Sequence, residues 1–236
     1  IFKISCLFNF FILCNYLVMN IGIVTDYYLK SGGGTNFVNS ELETFKHLED
    51  TYKEKINFYY IAANKESFNA LKKEYDNTIY FNKDSLLSQI SLFLNSIDSI
   101  RKFIHKFKLN FFENFLKRKN ITFLIFVTPS KLVYFCRNIN FISNIWELQH
   151  KTHPYLPEYK NIYFDLKERD SIAKFISLYS YAILVGTKKS AEDFSKFYNC
   201  DKSRIIEKYT QSIIVNKAKK LALEIKKERA FTRSDF

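Results

Sequence analysis

The chain has 236 residues, 47% of them hydrophobic and 25% charged, with only 5 Gly and 3 Pro. That mix excludes a disordered or low-complexity chain and allows one large domain or two small ones. The formal net charge of +12 suits an anionic partner, but no run of five basic residues and no nucleic-acid motif accompanies it, so no nucleic-acid partner is expected. From the start, residues 1–18 (IFKISCLFNFFILCNYLV) form an apolar leader with one charge, Lys3. Two readings stay open, upstream sequence translated in frame or a true membrane segment. The only methionine, Met19, stands directly before the first strand.

That strand, NIGIVTD, leads through YYLKS into three consecutive glycines, Gly32, Gly33 and Gly34. Such a cluster suggests a backbone that bends sharply or lets a ligand approach. A helix starting at Thr35 would turn free N–H groups toward a phosphate or a sugar hydroxyl. The spacing matches neither G-x-G-x-x-G nor a P-loop. A helix is expected over 35–50, with Phe37, Leu42, Phe45 and Leu48 inward. The run INFYYIAA at 56–63 reads as a strand buried on both faces, as in a parallel sheet. A helix over 66–75 and a short strand over 78–81 follow.

Asp84 and Ser85 are placed to cap one long helical region from residue 86 to about 119. Its wide apolar stripe includes Leu87, Ile90, Phe93, Leu94, Ile97, Ile100, Ile104, Phe107, Phe111, Phe112 and Phe115. The basic residues of 101–108 interleave with aromatics, which suits either an anionic lipid surface or the outer face of a core helix. Strands are then expected at 121–128 (ITFLIFVT) and 141–148 (FISNIWEL), followed by a rigid polar loop from Gln149 to Glu158. A helix over 161–179, a strand over 181–187, a helix over 188–198 and a last strand over 204–208 complete the alternation. The pattern predicts an α/β fold, a doubly wound and mostly parallel sheet of Rossmann-like type. Residues 19–210 form that domain, and 211–236 form a basic amphipathic helical tail.

In an open parallel sheet, ligands bind beyond the carboxyl ends of the strands. There the chain places the glycine loop, Thr128, Gln149, His150 and Thr187, which one cleft could gather. His150 is the sharpest candidate for a polar contact with a sugar or phosphate. Its plain alternative is a capping residue in a loop, and no catalytic residue is assigned. His153, His47 and His105 read as ordinary surface or helix positions. The four cysteines, Cys6, Cys14, Cys136 and Cys200, form no CxxC, and no histidine lies at ligand spacing. Reduced structural thiols and no metal site are expected.

The order NIGIVTDYY…SGGGTNF, WELQHKTHPYLPE, Phe164…Arg169 and AILVGTKKSAEDFSKFY…KSRII resembles the N-terminal half of GT-B glycosyltransferases, family 4 in particular. The resemblance covers roughly 19–206. It implies one half of a GT-B fold, the acceptor-side domain of an enzyme that moves a sugar from a nucleotide-sugar donor to a glycan or lipid-linked acceptor in polysaccharide biosynthesis. A cytoplasmic location is expected, and the basic charge leaves peripheral contact at the inner face of the plasma membrane open. By the same resemblance Gly33 and Gly34 approach the donor diphosphate or the acceptor, and His150 faces the transferred sugar. Gly32, Thr35, Gln149 and Thr187 complete the expected substrate-binding set, and no cofactor beyond the donor is implied.

The family's second half binds the nucleotide and carries an E-x7-E motif, which has no counterpart after Lys208. Glu41 with Glu49 and Glu66 with Glu74 show the spacing, but on helices of the first half, where they read as solvated faces. The expectation is therefore a partial glycosyltransferase, inactive alone. The alternative is a standalone subunit that pairs with a separate donor-binding chain.

Overall fold

The computed structural model describes residues 19–26, 33–52, 55–107, 110–146, 148–155 and 163–207. The apolar leader, Gly32, Pro157 and Glu158, and the basic tail at 211–236 lie outside the described residues. Strand β1 (Met19–Thr25) is followed by α1 (Gly33–Tyr52), β2 (Ile56–Ala62), α2 (Lys65–Leu71) and β3 (Thr78–Tyr80). Helices α3 (Leu86–Ser96), α4 (Asp98–Lys106) and α5 (Phe111–Arg118) lead to β4 (Ile121–Phe126) and a 3-10 helix (Lys131–Phe135). Then come β5 (Asn140–Ile145), a one-turn α6 (Gln149–Thr152), α7 (Tyr163–Tyr179), β6 (Ala182–Val185), α8 (Lys188–Tyr198), a second 3-10 turn (Lys202–Arg204) and β7 (Ile205–Glu207).

All seven strands are parallel, in the order β3-β2-β1-β4-β5-β6-β7. Such a sheet must be covered on both faces, which is why its strands are near-continuous apolar runs. On one face Val38, Leu42 and Phe45 of α1 and Leu71 of α2 pack on Ile21, Ile23, Phe58, Tyr60, Phe123 and Ile125. On the other, Phe112 and Leu116 of α5, Ile172 and Ile176 of α7 and Phe194 of α8 pack on Val24, Ile61, Leu124 and Phe126. Gly22 lies at the centre of β1, where an added Cβ would come within 2.6 Å of Leu124 Cδ2 and 2.8 Å of Ile61 Cδ1. Only a residue without a side chain lets the flanking strands close over it.

Several expectations are corrected. The long helix over 86–119 is three helices, because Ile97 takes an extended backbone (φ −90°, ψ 116°) and ends α3. Asn110 then starts α5 afresh, its Oδ1 accepting from Phe112 and Glu113 N–H. The stripe proposed there does not run inward throughout: Leu87, Ile90, Phe93, Ile97 and Phe107 are exposed, and only its last part, at Phe112, is fully buried. Helix α1 starts at Gly33, two residues before the expected Thr35. The strand expected at 141–148 ends at Ile145, and Gln149 and His150 form a turn of helix instead of a loop.

Nor are both glutamates of the first E-x7-E pair solvated. Glu41 is buried, and Glu49 accepts from Phe58 N–H at 3.2 Å and from Tyr60 Oη at 3.3 Å. Burial pushes the Glu49 carboxyl above its ordinary value despite those two bonds. Cys136 and Cys200 are free thiols, both buried. Among the described residues no helix is long and apolar enough to cross a membrane.

Candidate functional site

The sheet reverses direction at β1. The chain runs outward from it through β2 to β3, then returns to place β4 on its other side. At such a switch point the connections leave in opposite directions, and a crevice opens beyond the carboxyl ends of the two strands. Asp26 stands there, one residue past β1, with Thr128 and Pro129 just past β4. A cavity of about 300 Å³ occupies the crevice. Its walls are Asp26, Lys83, Thr128, Pro129, Ile145, Trp146, Leu148, His150 and one side of α7 from Glu168 to Ala173. A second cleft of about 720 Å³ shares Asp26, Lys83, Pro129, Glu168 and Ile172 with it and extends toward α3 and the first 3-10 helix. In a Rossmann-like domain, ligands bind in a crevice at this place in the sheet.

Three partners hold Asp26 in that crevice. Its N–H donates to Thr128 Oγ1 at 3.4 Å, Ser130 Oγ donates to its Oδ2 at 2.6 Å, and Lys83 forms an ion pair with Oδ1. The Asp26 side chain is 11% exposed and that of Lys83 29%. A carboxylate so held keeps a fixed orientation, and its ammonium partner gives the cavity a cation beside an acceptor. Together they can meet a ligand rich in hydroxyls or one that carries an anionic group.

His150 also lines the cavity and is buried. Its Nε2 lies 3.2 Å from Tyr198 Oη, and that hydroxyl donates to Asp170 Oδ1 at 2.9 Å. Lys151 Nζ reaches the same carboxylate oxygen at 2.6 Å. Burial raises the Asp170 carboxyl, but the bonds from Lys151 and Tyr198 and the nearby Lys151 and His150 outweigh it and hold it below the ordinary carboxylate value. Tyr198 has one proton, and the ionised carboxylate takes it, so Tyr198 Oη can only accept from His150. In this arrangement His150 therefore carries a proton on Nε2. Burial and the bond to Asp170 push the Tyr198 hydroxyl well above its ordinary value, so it stays protonated.

The residues expected from sequence are placed unevenly. His150 and Thr128 line the cavity. Gly33 and Gly34 open α1, and Phe37, in the turn that follows, sets its ring edge-on to Trp146 with centroids 5.5 Å apart. Since Trp146 is a cavity wall and donates to Val127 O at 3.2 Å, the α1 start is tied to the site through one side chain. Thr35 is buried, and its Oγ1 has no hydrogen-bond partner among the described residues. Gln149 is exposed and lines neither cavity. Thr187 is also exposed, and its Oγ1 caps α8 by accepting from Ser190 N–H at 3.0 Å.

Sequence reasoning passed over Asp26, Lys83, Ser130 and Trp146 as site residues. Asp26 carried a usable signal, being the polar residue directly after the first buried strand. Lys83 carried none, for it joins Asp26 across 57 positions of sequence and only the strand order reveals it. Among the described residues no group of three His, Cys, Asp or Glu is placed to hold a metal ion.

No family model matches the chain, and no curated protein matches its sequence significantly. Solved structures with a similar course of chain include HepE of Anabaena in complex with UDP, at 10% identity and TM-score 0.47, covering 81% of this chain and 44% of that one. A glycosyltransferase from Rickettsia africae matches at 13% identity and TM-score 0.42, covering 81% and 43%. A Listeria monocytogenes protein named as a UDP-N-acetylglucosamine 2-epimerase matches at 10% identity and TM-score 0.48, covering 80% and 45%. The chain thus spans less than half the length of the solved structures it matches. At this level of likeness the names of the neighbours do not decide an activity, and family 4 is not singled out.

Proposed function

We propose that the chain is the acceptor-side domain of a glycosyl-transferring enzyme that uses a nucleotide-sugar donor and a glycan or lipid-linked acceptor. One observation carries the reading. The histidine of the WELQH segment, His150, is buried in the wall of the switch-point cavity that Asp26 and Lys83 also line. The ordered motifs of the sequence, from the glycine run to the KSRII segment, support the same reading. In it Asp26 and Lys83 bind acceptor hydroxyls, His150 faces the transferred sugar, and Gly33 and Gly34 let the donor diphosphate approach the start of α1. A second, donor-binding half completes the cleft, either in one polypeptide or as a separate subunit. The reaction then takes place in the cytoplasm and serves polysaccharide synthesis.

The test is transfer of labelled sugar from nucleotide-sugars to lipid and glycan extracts, with the chain alone and with the proteins that co-purify with it. Transfer is expected only when a donor-binding half is present. Asp26→Asn and His150→Ala should each lower that transfer at least tenfold while leaving the far-ultraviolet circular dichroism unchanged. Full transfer by both variants would overturn the assignment of the cavity.

A further inference from the structure

We propose that the switch-point cavity seats a sugar ring through two neighbouring hydroxyls, so that the acceptor is already glycosylated and is not a bare lipid phosphate. The acceptor role rests on the glycosyl-transfer reading, whereas the fit of the cavity to a sugar stands on its residues. Charge points away from an anion. Two carboxylates, Asp26 and Glu168, and two cations, Lys83 and Arg169, line the cavity and balance in number. Lys83 is already paired with Asp26, and Glu168 with Lys131. A phosphate would meet no surplus from these side chains and would lie against the Asp26 carboxylate.

The hydrogen-bonding capacity left in the cluster suits hydroxyls instead. An ammonium group has three N–H donors, and Lys83 gives one of them to Asp26. Each Asp26 oxygen accepts one bond, from Lys83 or from Ser130, and keeps a further lone pair. Thr128 Oγ1 accepts from Asp26 N–H, and among the described residues its own proton has no acceptor. Spare donors and a spare acceptor thus adjoin. A hydroxyl both gives and takes, so two on adjacent carbons can meet the carboxylate with one and the ammonium with the other. Much of the remaining wall is carbon. Trp146 spends its one polar group, the indole N–H, on Val127 O at 3.2 Å. What it offers the cavity is therefore hydrocarbon, as do Pro129 and Ile172. Such a wall suits the C–H side of a sugar ring. At about 300 Å³ the cavity lies at the small end for a ligand site, with room for one ring. The larger cleft that shares Asp26 and Lys83 then takes the rest of the acceptor. An earlier glycosyl transfer must supply that acceptor, and the step performed here extends an existing sugar.

Trp146 is the only tryptophan of the chain, so its fluorescence reports on the cavity directly. The full chain is titrated with methyl glucopyranoside, galactopyranoside and mannopyranoside, with their deoxy analogues, and with inorganic phosphate. A saturable change is expected with at least one glycoside. Removing either of two adjacent hydroxyls from that glycoside should weaken binding at least tenfold, as should Lys83→Gln with an unchanged circular dichroism spectrum. No response to any glycoside would overturn the proposal, as would equal binding of every deoxy analogue or a response to phosphate alone. With a donor-binding half present, labelled sugar should pass to octyl glycosides and not to dodecyl phosphate. Transfer to the phosphate alone would overturn this inference and leave the glycosyl-transfer reading standing. Glycoside binding with no transfer to either acceptor would uphold the sugar site and overturn that reading instead.

Discussion

A single hydroxyl proton organises one wall of the cavity. Tyr198 gives it to Asp170 and in return accepts from His150, so the imidazole is oriented by a group that cannot itself ionise near neutral pH. Tyr198→Phe breaks both bonds and should cost about 1 kcal/mol, below the range for buried charged pairs because Asp170 is partly exposed. The Asp170 carboxyl is held below its ordinary value of 3.8. Its contribution is therefore present above that value and lost as the pH falls through the lower folded one. Urea unfolding should show the variant's deficit at pH 7 and a shrinking deficit as the pH drops below 3.8. A constant deficit would mean that the tyrosine acts through packing alone. Ser143 makes the opposite case. It is fully buried in β5, and its Oγ has no hydrogen-bond partner among the described residues. An unpaired buried hydroxyl is a cost, so Ser143→Ala should raise stability by about 1 kcal/mol. A lower unfolding temperature for that variant would refute the point.

At the scale of elements, β1 works as the seam of the sheet, and Gly22 is its tightest stitch. Gly22→Val places three carbons where Leu124 and Ile61 already meet, and overpacking of this kind costs about 1–3 kcal/mol. The urea midpoint should fall accordingly, and an unchanged midpoint would show that the two side chains have room to move aside. The strands themselves were readable from sequence. Because they are covered on both faces, INFYYIAA, ITFLIFVT and AILV announce themselves as near-continuous apolar runs, and their ends shift by only a few residues. Helix α3 was misread for a related reason. Apolar periodicity reveals that a helix has a greasy side, but not which way that side points. Here α3 instead turns inward Ser88, which donates to Asn82 O, and Asn95, whose carbonyl accepts from Arg101.

At the scale of the whole molecule, the fold class was legible and the site only half so. The carboxyl-edge rule brings Thr128 and His150 to the cavity, since each directly follows a strand or its short extension. It cannot pair Asp26 with Lys83, or Asp170 with Tyr198, because those partners meet only once the strand order and the seating of α7 against α8 are known. Thr187 illustrates a further limit: a hydroxyl after a strand can equally be spent on the helix that follows, and here it is. Among the described residues, the sheet's two outer strands, β3 and β7, are three residues each. Such short margins offer little template for a foreign strand.

The position of β1 also dictates how the chain must come together. Its β2 side joins residues close in sequence, as in the 36-position span from Thr25 to Ile61, whereas its β4 side waits for a partner 102 positions away, as from Asp26 to Thr128. Loop closure favours the nearer pairing. The β1–β3 half is thus expected to form first, with one flank of β1 unpaired until β4 has left the ribosome. During synthesis, that open flank is the surface a chaperone would have reason to guard.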